Sequence, residues 1–347
     1  MVSKFLQGRP SLSINEAETL TRDTFDFDGR ATPLPSYQDQ NFRIRTSNGL
    51  RAVLKVSNAE VSAAMLDCQS EVMRTLTEAG LPVPSVMGQT TIQSAGQIHH
   101  IRLLSWLEGT PLALANPITP VMERACGTLL GRMDTALTDF QHEGAESYSE
   151  WDLAHAETTI TEHMEGLSAE DKLLIEKVLD LYRHVVAPMW KELPLAVIHN
   201  DANDYNIMVE SALNDPRSIS GLLDFGDVIH TARVCNAAIC GAYLAPYHAD
   251  PMDALCDVVR SYHRECPLSE KELKVFFALA CTRLAVSVCM SAARYRLEPE
   301  NDYLIVSAVG AWSCLRKFSE VHPRLAHYRI RGAAGFETVP GSKDLEV

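Results

Sequence analysis

The stretch "AVIHNDANDYNIMV", residues 196–209, sets Asp201, Asn203, Asp204 and Asn206 behind His199 and between two apolar runs. Short apolar runs read as buried strands, so these polar residues sit on a loop pinned at both ends, where function tends to be placed. Asp201 and Asn206 are five apart, and Asp224 follows 23 residues after Asp201 in "GLLDFGD". An oxygen set of Asp, Asn and Asp suits a hard cation such as Mg2+, which keeps waters and takes one or two carboxylates plus phosphate oxygens. A metal–phosphate site also wants a positive group. Lys55 in "RAVLKVS" is the only lysine on an expected strand in the first half. Val53 shares its face by strand alternation and could cover a flat base, and Glu71 on the next expected helix could pair with Lys55. Plainer readings stand beside these. Asp and Asn favour turns, and a strand lysine is usually a solvated edge residue. His199 reads more simply as a hydrogen-bonded structural group than as a ligand. Asn203 and Asp204 read either as turn formers or as substrate contacts. Asp227 reads as a partner of the metal site, a contact for a substrate amine or an ordinary loop charge, and Arg233 as a binder of a substrate carboxylate.

Length and composition bound the class. The 347 residues suggest two lobes. The balance of 31 Lys+Arg against 45 Asp+Glu gives −14, which argues against a nucleic-acid partner, since that needs a basic face. It fits an amine-bearing small substrate, or simply solubility. Nine cysteines, odd in number and without CxxC spacing, disfavour zinc and a disulfide framework. Reduced thiols in a cytoplasmic protein are expected. The N-terminal segment lacks a long apolar run, and no later segment is expected to reach membrane length.

The elements that must hold these residues follow from local patterns. Ser13 with Glu16 three residues on is a capping-box pattern. Asn48-Gly49 between "NFRIRTS" and "LRAVLKVS" is a hairpin signal. Residues 59–79 carry a helical period that Gly80 and Pro82 end. A second hairpin ends near Trp106. After Gly109, helical patterns fill 120–141 and 169–190, short strands follow at 195–198, 206–210 and in "ISGLLDF", and helices continue to about residue 320. The expectation is an α+β chain. Residues 1–105 form a small N-terminal sheet lobe, the hinge lies at about 103–109, and residues 106–347 form a larger, mainly helical lobe.

Taken together, "HNDANDYN", "LLDFGD", the strand lysine and the helix glutamate resemble the aminoglycoside phosphotransferase and choline kinase family, whose fold is bilobal and protein-kinase-like. The resemblance covers about residues 25–320. Within it, "PLPSYQDQNFRI" and "VCMSAARYRLEPENDYL" are most similar to hydroxylysine kinase and to the kinase-like domain fused to class III aminotransferases. The resemblance implies a kinase that moves the terminal phosphoryl of ATP or GTP to a hydroxyl of a small amine or amino acid, with 5-hydroxylysine the first candidate. Homoserine, choline, ethanolamine and aminoglycosides are the alternatives. A functional link to a class III aminotransferase is also implied.

The same resemblance assigns roles. Asp201 would accept or orient the acceptor hydroxyl, and Asn206 and Asp224 would hold Mg2+. Lys55, positioned by Glu71, would meet the phosphates. Backbone groups at Ser105, Trp106 and Leu107 would read the base. The nucleotide loop 36–41 has no glycine, so its grip would come from Ser36, Gln38 or Asn41. Asn200 stands where many relatives have glycine, and asparagine tolerates left-handed backbone. "VIHTARVCNAAI" replaces the usual continuation with a further aspartate. Two other classes compete: an inactive nucleotide-binding module, and a metal hydrolase built on His199, Asp201 and Asp224, for which the loop offers too few histidines.

Overall fold

The computed structural model describes residues 8–36, 38–94, 96–210, 218–297, 299–300 and 308–341. The chain divides into two units, Met1–Glu108 with His142–Ser147, and Gly109–Gln141 with Tyr148–Val347.

In the first unit, α1 (Ile14–Phe25) begins at Ser13, whose hydroxyl accepts the Glu16 amide while the Glu16 carboxylate accepts the Ser13 amide. This reciprocal cap satisfies two of the donors that a helix start leaves without partners. Strands β1 (Gly29–Leu34), β2 (Gln40–Thr46) and β3 (Arg51–Val56) precede α2 (Ala63–Glu78), and β4 (Val86–Ser94) and β5 (Gln97–Ser105) follow it. They form one antiparallel sheet in the order β1-β2-β3-β5-β4. Gly49 turns the β2–β3 hairpin at φ 89°, a left-handed value that its missing Cβ permits.

Strand alternation gives this sheet two chemically different faces. Phe42, Ile44, Ala52, Leu54, Val56, Ile101 and Leu103 make the core face, closed by Leu12 and by Ala17 of α1. The other face carries Asn41, Lys55 and Arg102 side by side on one rung, and Arg43, Val53 and Leu104 on the next. Gln69 of α2 accepts a hydrogen bond from the buried Arg102 guanidinium at 2.8 Å, which ties α2 to this polar face.

The second unit opens with β6 (Thr110–Pro111), α3 (Pro120–Ala136), α4 (Ala156–His163) and α5 (Ala169–Leu181). The helical pattern expected through residue 190 changes earlier. A π turn spans Tyr182–Val186 and a 3-10 turn Ala187–Glu192. Pro188 lacks the amide an α-helix would need there, and its ring crowds the carbonyl one turn back. Next come β7 (Leu195–Ile198), β8 (Ile207–Val209), β9 (Ile219–Leu222) and β10 (Ile229–Ala232). They form two small sheets, β10-β7 and β6-β8-β9. Helices α6 (Val234–Leu244), α7 (Pro251–Glu265), α8 (Glu270–Leu297), α9 (Ala308–Phe318) and α10 (Pro323–Ala333) complete the unit.

Helix α8 corrects one expectation, because it is long and apolar enough by length and composition to cross a membrane. Within its most apolar window, however, 89% of the residues are buried inside the protein. It serves as the central core helix of this unit, in contact with α4, α5, α6, α9 and α10.

Candidate active site

The β7–β8 loop is shaped by its own side chains. Asn200 is fully buried at φ 64°, so the turn survives without glycine, and its amide donates to Asn236 Oδ1 at 3.3 Å. Asn203 Oδ1 accepts the amides of Tyr205 at 2.8 Å and Asn206 at 3.0 Å, which makes Asn203 a turn former. Its amide nitrogen donates to Asp201 Oδ2 at 3.0 Å. Asn206 Nδ2 donates to the same oxygen at 2.8 Å and to the Asp201 carbonyl at 2.9 Å. Asp201 Oδ1 accepts from Arg283 Nη2 at 2.7 Å. Three donors from three directions therefore fix one carboxylate.

Burial pushes the Asp201 carboxyl up to about 7; Arg283 opposes this, and the charges of Asp227 and Asp224 add to it. The three carboxylates thus lie close enough to repel one another. Such a set gains from a divalent cation. With its amide nitrogen spent on Asp201, Asn206 has its side-chain oxygen to offer, and Asp224 is near enough for its charge to act on Asp201. Hard oxygen donors of this kind fit Mg2+ or a similar ion.

His199 joins this loop to the one that carries Asp224. Its Nε2 donates to the Leu223 carbonyl at 2.9 Å and its Nδ1 accepts the Asp201 amide at 3.2 Å. A second bond runs from the Leu223 amide to the Asn206 carbonyl at 2.8 Å. The ring meets Phe225 edge-on at 4.8 Å. Burial pushes the imidazole down to about 4, so it stays neutral and structural at ordinary pH. Asp224 adopts φ 57° and its carboxylate accepts the Gly226 amide at 3.3 Å.

Arg283 is the functional residue that the motif-based reading passed over. It sits in the middle of α8 and is 1% exposed. Its guanidinium lies 4.6 Å from the Trp151 ring centroid and 5.5 Å from that of Tyr243, and its Nη1 donates to the Trp151 carbonyl at 3.2 Å. The signal was present in the sequence as a lone arginine inside "FFALACTRLAVSVCM". A charge within a buried apolar helix requires a partner.

The other expected contacts divide. Arg233 is not available for a substrate carboxylate. It is held by the fully buried Glu272 at 2.8 and 3.1 Å and by the Pro267 carbonyl at 2.7 Å. Asp204 accepts from Tyr247 Oη at 2.5 Å, burial raises its pKa, and its Oδ1 is buried without a partner. Asp227 is near enough to Asp201 and Arg283 for its charge to act on both.

In the first unit, Lys55 is 8% exposed and pairs with Asp39 at 3.1 Å. The expected partner, Glu71, is half exposed and pairs with Arg74 at 3.4 Å. The reason is local. Asp39 lies two residues before Asn41, which faces Lys55 across the β2–β3 ladder, and it also accepts the Asn58 amide at 2.9 Å. Asn41 Oδ1 is buried without a hydrogen-bond partner beside Lys55. Ser36 is half-buried and Gln38 exposed, while Val53 lies on the Lys55 face. Beyond β5, the Ser105 amide is already given to the Ser85 carbonyl at 2.9 Å, so base reading would fall to Trp106 and Leu107. Trp106 carries the Arg51 guanidinium 5.4 Å from its ring centroid.

Comparisons with known proteins agree with this geometry. The phosphotransferase enzyme family (APH) matches residues 30–272. Hydroxylysine kinase of Mus musculus is 28% identical over 343 residues, covering 90% of this chain and 91% of that protein. Hydroxylysine kinase of Xenopus laevis is 29% identical over 344 residues, with the same coverage. Among solved structures, a microcompartment-associated aminopropanol kinase superposes with a TM-score of 0.67 at 14% identity, covering 94% of this chain and 100% of that one. Amicoumacin kinase hAmiN, in complex with AMP-PNP, Ca2+ and Ami, gives 0.62 at 14% identity, with coverage of 89% and 90%. The chain belongs to the phosphotransferase enzyme family, as a small-molecule kinase of protein-kinase-like fold whose acceptor group is a hydroxyl.

Proposed function

We propose that this kinase transfers the terminal phosphoryl of ATP or GTP to the hydroxyl of a small amine or amino acid, with 5-hydroxylysine the first candidate acceptor. The observation that carries the reading is the Asp201 carboxylate, aimed by Arg283, Asn203 and Asn206 at one point of the β7–β8 loop. The hydroxylysine kinases to which the chain is similar over nine-tenths of its length support the choice of acceptor.

In this reading Asp201 receives the acceptor's hydroxyl group as a hydrogen-bond donor and fixes its oxygen for in-line attack. The proton is lost late in such transfers, so orientation matters more than basicity. Asn206 and Asp224 hold a divalent metal, for which Mg2+ is the proposal, and that ion supplies charge neutralisation at the phosphates. Lys55 and the Asn41 side chain, on the polar face of the first sheet, receive phosphate oxygens of the donor. His199 does no chemistry: it keeps Asp201 and Asp224 in register through Leu223.

The test is a screen of hydroxylated amines and amino acids with ATP and GTP in parallel, read by product mass. Phosphorylated hydroxylysine is the expected product. Asp201→Asn and Asp224→Asn should each abolish it while the far-UV circular dichroism stays native. Wild-type turnover in either variant would remove the assigned chemistry.

A further inference from the structure

Among the described residues, the polar face of the first sheet carries one guanidinium that no protein group meets. Arg43 of β2 is half-buried, and its Nε is buried without a hydrogen bond. It makes no ion pair and no side-chain hydrogen bond. The neighbouring cations differ, for Lys55 is held by Asp39 and Arg102 by Gln69. Enclosing a donor of a charged group without an acceptor is costly, so a chain that keeps one needs a reason.

Strand register says what kind of group Arg43 could meet. Alternation sets it on the same face as Asn41 and Lys55, one rung further along. A rung step is two residues, about 6.6 Å. A molecule whose phosphates meet Lys55 therefore presents a different part of itself to Arg43. The company on the Arg43 rung is apolar, with Val53 on β3 and Leu104 on β5. Those side chains have nothing to offer phosphate oxygens and suit a flat ring. Leu104 also leads through Ser105 into Trp106 and Leu107, whose backbone is left to read a base. The Lys55 rung is thus the phosphate end of this face, and the Arg43 rung the base end.

A guanidinium is planar, delocalised and weakly hydrated, and it stacks on flat π systems. We propose that Arg43 stacks on the purine ring of the phosphoryl donor, with Val53 and Leu104 as the apolar bed beside it. This rests on the phosphotransfer reading, in which Lys55 meets the donor's phosphates. Every purine has a π face, so Arg43 holds the base without choosing between ATP and GTP. It adds a hold on the nucleotide in a chain whose loop 36–41 has no glycine.

The experiment compares ATP and GTP with ribose 5-triphosphate, which keeps the sugar and phosphates and lacks the base. Calorimetric binding with Mg2+ is measured for the wild type, Arg43→Met and Arg43→Lys, the baseless compound by displacement of ATP. Methionine keeps the length of the stem, and the change breaks no hydrogen bond because Arg43 makes none. Arg43→Met should weaken ATP and GTP alike, by about five- to thirty-fold, and leave ribose 5-triphosphate unchanged. In turnover, the nucleotide KM should rise to match while kcat and the acceptor KM stay nearly as they were. Arg43→Lys keeps the charge and loses the plane, so it should recover only part of the loss. Unchanged nucleotide binding in Arg43→Met overturns the stacking. So does an equal loss on ribose 5-triphosphate, or full recovery in Arg43→Lys, since either would make Arg43 a phosphate contact. A wild type that binds no nucleotide overturns the phosphotransfer reading itself, so the two failures are distinct.

Discussion

Arg283 Nη2 donates to Asp201 Oδ1 at 2.7 Å, and this single bond joins the core helix α8 to the carboxylate of the β7–β8 loop. The arginine is almost completely buried, and the aspartate side chain is 17% exposed. Removing one half of such a pair leaves the other uncompensated, which costs more than the pair contributes when intact. Arg283→Met should therefore lower stability by about 3 kcal/mol, read as a shift of the urea midpoint, and should reduce kcat strongly because Asp201 loses its aim. In an Asp201→Asn background the same change should cost clearly less, since no buried anion is stranded. An identical cost in both backgrounds would mean that the bond couples nothing.

The partner of Lys55 gives a second, sharper test. Asp39, not Glu71, holds the ammonium, and it also accepts the Asn58 amide. Asp39→Ala should raise KM for the nucleotide several-fold, because the lysine loses its fixed place. Glu71→Ala removes only a half-exposed pair with Arg74, and exposed pairs are worth about 0–1 kcal/mol. It should leave KM within about twofold. The reverse ordering would restore the helix glutamate as the positioning residue.

These two cases mark where the sequence was legible. The loop "HNDANDYN" and the strand of Lys55 could be read because local chemistry sets them. Buried strands bracket a polar loop, Asn-Gly closes a hairpin, and Asn200 can take a left-handed turn. Partners are another matter, because they depend on packing between distant segments. Asp39 reaches Lys55 through strand register, and Arg283 reaches Asp201 across 82 positions. Arg233 looked free for a substrate because nothing near it in sequence reveals that Glu272 is buried opposite it. A lone arginine in an apolar run was the one long-range clue that a charge rule would have caught.

Asp134 supplies a prediction about stability and pH, away from the reacting groups. It is buried, accepts from Asn236 Nδ2 at 2.8 Å and is bonded to Tyr262 Oη at 2.6 Å. Burial lifts its carboxyl to about 7 from an ordinary 3.8, against the pull of those two bonds. The folded chain therefore keeps this proton long after the unfolded chain has released it. The contribution is full below about pH 4 and is lost as pH rises toward 7, at up to about 1.4 kcal/mol per unit. Asp134→Asn mimics the protonated form and keeps both bonds. It should flatten the slope of unfolding free energy across that window and stabilise the protein at pH 8. An unchanged slope in the variant would place the titration elsewhere.

His199 behaves in the opposite sense, because it is a base held neutral. Its ring is fully enclosed between the Leu223 carbonyl and the Asp201 amide, and burial depresses its pKa from 6.5 to about 4. The unfolded chain takes up this proton first, so the stability it contributes is intact above about pH 7 and drains away as pH falls toward 4. Between pH 7 and 9 no ionisation of His199 should enter the rate profile. His199→Leu fills much of the space but leaves the Leu223 carbonyl and the Asp201 amide unpaired, a loss of about 1–3 kcal/mol for each buried group. The larger expected effect is on kcat, because the loops of Asp201 and Asp224 lose their shared tie while Lys55 is untouched. Nucleotide KM should move little and kcat should fall by more than about tenfold. A variant that folds, turns over normally and loses only stability would make His199 a packing residue with no part in aligning the site.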